Sequence, residues 1–245
     1  MSPRRTFATT ARVLRQLSHD HRTVGLLFVV PLVLMGLLAW LYSNTPGMFD
    51  MLGPTLLGLF PFIVMFVVTA MTTLRERSSG TLERLLAMPV GKLDIIVGYA
   101  LSFGVLAIIQ ATLVSVVALH LYGLDIEGPQ WGLILVALVN SLLGTTLGLL
   151  ASAFARTEFQ AAQFMPAFVL PQFLLCGLLV PLNQMPDILR HVADVLPLTY
   201  AVKAMNGVAS EATLSSNTYT YIAIVLGFAV VAVLLGAATL RRQTR

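Results

Sequence analysis

Thr73–Asp94 reads TLRERSSGTLERLLAMPVGKLD. Arg75, Glu76, Arg77, Glu83, Arg84, Lys92 and Asp94 crowd into it, although only 11% of the chain is charged. Long apolar runs stand on both sides, so the chain leaves an apolar phase here and then re-enters it. Ser78, Ser79, Gly80 and Thr81 supply candidate helix N-caps. Leu82, Leu85 and Leu86 then fall on one helical face, Glu83 and Arg84 on the other, and Pro89 stops the pattern. About two turns of helix are marginal alone in water, so these leucines need a surface. Lipid headgroups or a cleft on a cytoplasmic partner would serve.

The flanking runs define the solvent. The chain has 245 residues, 57% of them apolar, and a mean hydropathy of +0.86. That leaves too few polar residues to cover a soluble core. A span needs roughly 20 apolar residues to cross about 30 Å of hydrocarbon. Six segments are read as spans: Val24–Tyr42, Leu52–Leu74, Ile95–Tyr122, Trp131–Phe154, Phe164–Pro181 and Tyr219–Leu240. Pro54 and Pro61 interrupt the second, and Pro166 and Pro171 the fifth, so both are expected to kink or tilt.

Charge orients the spans. With the N-terminus inside, the inner segments hold Arg4, Arg5, Arg12, Arg15, Arg22, Arg75, Arg77, Arg84, Lys92, Arg156, Arg241, Arg242 and Arg245. The outer segments hold only Arg190 and Lys203, which completes the 15 basic residues. The positive-inside rule then puts both ends in the cytoplasm and favours an even number of spans. The net charge of +4 thus speaks for membrane topology, not nucleic acid. Residues 1–23 carry Phe7, Ala11, Leu14 and Leu17 at helical spacing among arginines, the pattern of an amphipathic helix on the cytoplasmic face. SPRRTF at the start has a twin arginine, but charged residues part it from any apolar region.

The loops are short except for 182–218, outside the membrane. There MPDILRHVADVLP reads as a helix, with Pro186 at its start and Pro197 at its end. Ile188, Leu189, Val192, Val195 and Leu196 form its apolar face. PLTYAVKAMNG follows as a second helical piece ending at Gly207. Gly144, Gly148 and Ser152 recur every four residues in the fourth span, with Asn140 one turn earlier. Ala107, Ala111 and Ser115 repeat the pattern in the third. Small residues at this spacing let helices approach closely, within a chain or between chains.

Chemistry-bearing motifs are sparse. PVGKLD lacks the first glycine and the Ser or Thr of a phosphate loop. His19–Asp20–His21 reads as a solvated cluster, not a metal site. Cys176 stands alone, so no intrachain disulfide can form. The spans hold no ionisable residue at depth, which weighs against a proton pump. A membrane enzyme would need convergent Asp, His or Ser groups, and none converge. A non-transporting scaffold or immunity protein, or an ATP-independent carrier, are the remaining rivals. Energy for work is therefore expected from another chain.

RERSSGTLERLL, Arg75–Leu86, followed by Pro89 and a long third span, resembles the membrane subunit of the type-2 ABC exporters, daunorubicin-resistance permeases among them. Gly177–Met205, GLLVPLNQMPDILRHVADVLPLTYAVKAM, is similar to the family's segment between spans five and six. The resemblance covers essentially the whole chain and implies an all-α membrane protein in one domain, 1–245. Its parts would be six transmembrane helices, an N-terminal interfacial helix, a cytoplasmic coupling helix in loop 75–93, and re-entrant or interfacial helices outside. Arg75, Glu76, Arg77, Gly80, Thr81, Leu82, Glu83, Arg84, Leu85, Leu86 and Pro89 would couple to a separate ABC ATPase, present in two copies. That partner would carry ATP and magnesium; no cofactor belongs to this chain. A second permease, identical or a sister, would complete the path in a bacterial inner or plasma membrane.

The cargo implied is amphipathic or hydrophobic, a drug or lipid, with polysaccharide or glycolipid as the alternative. Candidate path residues are Phe62, Phe66, Thr69, Gln110, Asn140, Gln163, Phe168 and Gln172. For the polar ones, a helix-to-helix hydrogen bond is the plainer reading. Pro186, Pro197 and Tyr200 would belong to an outer gate. Two positions depart from the family: Tyr99 follows Gly98 where lysine is frequent, and Asn206 stands near a frequent arginine.

Overall fold

A computed structural model describes residues 3–80 and 91–239, and among them every regular element is helical. In order they are α1 (Pro3–His19), α2 (His21–Leu41), α3 (Met48–Ser78), α4 (Lys92–His120), α5 (Gln130–Phe154) and α6 (Glu158–Leu175). A 3-10 turn at Leu182–Gln184 precedes α7 (Asp187–Val195), α8 (Pro197–Ser210) and α9 (Ser216–Thr239). Among the described residues, five helices are long and apolar enough to cross a membrane: His21–Leu41, Met48–Ser78, Val97–His120, Gln130–Phe154 and Ser216–Gly236. This is a multi-pass arrangement. The expected span Phe164–Pro181 is not among the five. Its helix begins earlier, at Glu158, takes in Gln160, Gln163 and Gln172, and ends at Leu175. Gly177 then adopts φ +93 and the chain turns away.

α3 and α5 form the centre. In each, 61% of the apolar window is buried within the chain, against 17% for α2. The reason lies in Gly144 and Gly148. A β-carbon at either would run into the carbonyl oxygens of Phe62 and Phe66, so the two backbones touch. Asn140 continues the seam, its amide lying against Gly58. The small-residue stripe therefore packs inside one chain. α3 runs unbroken past Pro54 and Pro61, and it continues to Ser78, beyond the expected end at Leu74.

α1 is a helix, as its spacing predicts, and it packs on the protein chiefly through a threonine face. Thr6, Thr9, Thr10, Val13 and Leu17 are buried, while Phe7 is 67% exposed and Ala11 is exposed. The threonines meet small residues of α4. Thr9 lies over Gly98, the Thr10 hydroxyl donates to Gly98 O at 3.2 Å, and the Ser102 hydroxyl donates to Thr10 O at 3.1 Å. Two faces thus serve two purposes: threonine hydroxyls grip α4, and Phe7 and Ala11 stay outward.

α7 is amphipathic, with Ile188, Leu189, Val192 and Val195 exposed. α8 is the opposite. Leu198, Thr199, Ala201, Ala204, Met205 and Val208 are fully buried, wedged against α9, α5 and α3. Pro197 opens α8 at its first position, whereas Pro186 caps α7 from just outside it. α8 runs to Ser210, past the Gly207 expected to end it.

Candidate functional site

The charged triplet Arg75-Glu76-Arg77 closes α3. Successive helical residues point about 100° apart, so three in a row can reach three different neighbours. Each does. Glu76 points inward, its side chain 3% exposed, and accepts from Arg12 Nη2 of α1 at 3.0 Å. It also accepts from the Tyr99 hydroxyl of α4. Arg12 completes the cluster, 2.9 Å from Tyr99 Oη and with its guanidinium 5.8 Å from the ring centre. The departure at Tyr99 thus has a structural use: it joins α1, α3 and α4.

Arg75 turns the other way. Its Nε and Nη2 form a two-pronged pair with Glu158 of α6, at 3.0 and 3.2 Å. Its Nη1 lies 3.5 Å from Asp20, the N-cap of α2. The Thr23 backbone and hydroxyl hydrogen bonds, aided by the Arg75 charge, hold the Asp20 carboxyl below its ordinary pKa. Arg75 lowers that of Glu158 in the same way. Arg77 donates to Ser152 O, a carbonyl in the last turn of α5 that lacks a helical partner. One triplet therefore ties the ends of α1, α2, α4, α5 and α6 to the central helix.

Gly80 follows this junction at φ +72, a left-handed conformation that favours glycine. Thr81, Leu82, Glu83, Arg84, Leu85, Leu86 and Pro89 lie outside the described residues. The chain resumes at Gly91, whose N–H is capped by Asp94 Oδ2 at 3.3 Å.

The candidate path residues separate into two groups. Phe62, Phe66, Thr69, Gln110, Asn140 and Gln172 are buried within the chain. Gln110 donates to Leu27 O at 2.6 Å, joining α4 to α2. Gln172 of α6 accepts from Leu198 N at the start of α8. These two amides thus make helix-to-helix bonds. Gln163 and Phe168 stand exposed on α6. At the end of the bundle away from the triplet, the Tyr200 hydroxyl donates to Asp194 O at 2.7 Å. Lys203 sits 3.7 Å from Asp194 Oδ1 and over the rings of Tyr200 and Tyr221, at 5.2 and 5.8 Å. This fastens α7, α8 and α9 together. Asn206, the second departure, accepts from the buried Thr55 hydroxyl at 2.7 Å.

Sequence reasoning did not reach Arg12, Glu158, Asp20 or Lys203 as partners. A long-range ion pair leaves no local spacing to read. The one available signal was the triplet itself, three charges where an apolar helix could end with one.

The family model described as ABC-2 type transporter matches residues 4–210. The chain is 29% identical over 147 residues to the probable multidrug ABC transporter permease YbhR of Escherichia coli, covering 60% of this chain and 40% of that one. It is 28% identical over 186 residues to the linearmycin resistance permease protein LnrN of Bacillus subtilis, covering 74% and 48%. It is 29% identical over 168 residues to ABC transporter G family member 20 of Dictyostelium discoideum, covering 68% and 23%. The chain thus spans less than half the length of these curated relatives.

Proposed function

This chain belongs to the ABC-2 type transporter family, and from that membership we propose that it is the permease of an ATP-driven exporter. The observation that carries the reading is the family match over residues 4–210. The cargo is amphipathic or hydrophobic, in keeping with relatives named for multidrug transport and linearmycin resistance. ATP and magnesium belong to a separate ABC ATPase, two copies of which serve two permease chains, and this chain carries no catalysis itself. Six spans cross a bacterial plasma membrane with both ends inside. The span beyond the five longest helices is Phe164–Pro181, and 13 of 15 basic residues then fall on the cytoplasmic side.

In this reading the segment Gly80–Pro89 docks its leucines in a groove on the ATPase. Arg75, Glu76 and Arg77 form its root. Because the triplet grips five helices, movement of the docked segment reaches all of them together. Closure of the ATPases would then switch the bundle between inward-open and outward-open states. Pro186, Pro197 and Tyr200, with Lys203 and Asp194, hold the outer gate, where α8 lies wedged in the core.

Co-purification in mild detergent tests this. A Walker-motif ATPase should accompany the tagged chain in stoichiometric amount. The double variant Leu85→Asp with Glu83→Arg should lose it while keeping its size-exclusion profile. Retained ATPase and export in that variant would sink the coupling role, and folded chain with no ATPase at all would sink the exporter.

A further inference from the structure

A cleft of about 760 Å³ runs between α2 and α3 where α1 joins them. That volume suits a small-molecule site. Its apolar length is lined by Leu26, Val30, Ile63, Val67 and Met71, and its mouth by Gln16, His19, Asp20, Arg22 and Arg75. The cleft is polar at one end only, and its long axis follows two helices able to span a membrane. An amphiphile lying parallel to the helices matches that division.

Charge selects the head. Asp20 is the one carboxylate at the mouth, and it already caps α2 and faces Arg75. The exposed Arg22 guanidinium makes no hydrogen bond or ion pair among the described residues. α1 adds Arg4, Arg5 and Arg15 and no acid, its Arg12 being already paired with Glu76. A second hollow of about 600 Å³, containing Arg15, shares Gln16 and His19 with the mouth. The cations in excess here favour an anionic headgroup.

We propose that this cleft holds one anionic glycerophospholipid from the leaflet on which α1 rests. Its phosphate lies against Arg22 and Gln16, and one acyl chain lies between α2 and α3. The lipid is resident, not cargo. Val68 in the cleft wall belongs with Leu27 and Met65 to one buried core cluster, so the cleft is blind toward the interior of this chain. Leu26 on its rim is 58% exposed, so it is open sideways. Arg75 belongs both to the mouth and to the junction with Glu158, so a phosphate arriving here shares the arginine that holds α6. The inference needs a membrane around the chain but no ATPase, and it stands or falls apart from the exporter reading.

The test uses the full chain in phosphatidylcholine nanodiscs carrying traces of photoactivatable phosphatidylglycerol or photoactivatable phosphatidylcholine. Cross-linked peptides are mapped by mass spectrometry. The phosphatidylglycerol label should concentrate on the peptides bearing Leu26–Val30 and Ile63–Met71, several-fold above the phosphatidylcholine label. Val67→Trp, which fills the cleft, should lower it several-fold. Leu26→Trp should do the same at a position already exposed, where folding is not at stake. Arg22→Gln should abolish the preference between the two lipids. Millimolar glycerol phosphate should displace nothing. Label spread evenly over the outward helices, equal labelling by both lipids, or indifference to both tryptophans would overturn the proposal. Displacement by glycerol phosphate would also overturn it, by showing a phosphate site with no need of lipid.

Discussion

The α3–α5 seam and the α2 rim are both helical and both apolar, yet they are held in opposite ways. At the seam, Gly144 and Gly148 bring backbone against backbone, and 61% of each helix's apolar window is buried within the chain. At the rim, 17% of α2's window is buried. The polar attachments of α2 are few: the Gln110 amide to Leu27 O, the Tyr122 hydroxyl to Leu32 O at 3.1 Å, and Arg75 to Asp20. Lipid offers helices no hydrophobic gain on association, so close packing and polar bonds must do the holding. The centre uses the first and the rim uses the second. A bundle so divided can keep a stiff axis while its outer helices shift about a few named bonds.

The largest effect should come from closing the seam. Gly144→Leu places its side chain where the Phe62 carbonyl stands. Its cost should reach or exceed the upper end of the roughly 1–3 kcal/mol usual for overpacking. The check is the thermal midpoint of purified protein, with Gly227→Ala as control. Gly227 has open space around it, so alanine there should change stability by no more than about 1 kcal/mol, in the favourable direction. Equal behaviour of the two variants would erase the contrast between seam and rim.

The junction comes next. Removing one partner of a fully buried ion pair costs roughly 3–5 kcal/mol. Arg12 is 31% exposed, so water can relieve it, and Glu76→Gln should cost about 2 kcal/mol. Limited proteolysis should also cut sooner within Pro3–His19, because α1 loses its hold on α3. Tyr99→Phe should weaken the same hold by about 1 kcal/mol, the usual worth of one hydrogen bond. If Glu76→Gln leaves α1 as protected as before, the threonine face on α4 suffices without the charge cluster.

What the sequence disclosed follows from what each feature depends on. The four clearest spans and the long second one were legible, since crossing lipid demands only length and apolarity, and both are local. The small-residue stripe was legible as a contact, but its partner was not, because spacing marks a face without saying what meets it. α1 was legible as a helix with an apolar side, but the threonine face by which it packs on α4 was not. Hydropathy marks Phe7 and Leu14 as the apolar side, and it cannot mark Thr9 and Thr10, which pack on Gly98 and Ser102 of α4 through close approach and hydroxyl bonds. The start of α6, ahead of its apolar run, was not legible, because the Thr157 cap and the Arg75–Glu158 pair that engage that end leave no hydropathy signal. Gln110 and Gln172, polar residues within the helical bundle, each bond to a neighbouring helix. A polar residue in a span signals a need for a partner, and a neighbouring helix meets that need as well as a channel does.

The smallest effect belongs to the exposed half of the junction. Glu158 and Asp20 both have carboxyls held below their ordinary values of 4.5 and 3.8. A depressed carboxyl contributes stability that is complete above its unfolded value and is lost as pH falls through the folded one. Stability should therefore be flat from neutral pH down to about 4.5 and decline below it. Glu158→Gln should remove part of that decline while costing at most about 1 kcal/mol at neutral pH, since both partners are solvated. The cost should shrink further in molar salt, where exposed charges are screened within about 3 Å. Glu76→Gln, inside the buried half, should keep its cost in the same salt. If the two variants respond alike to salt, α3 ends in one uniform polar surface, and the division between an inner lock and an outer clasp is lost.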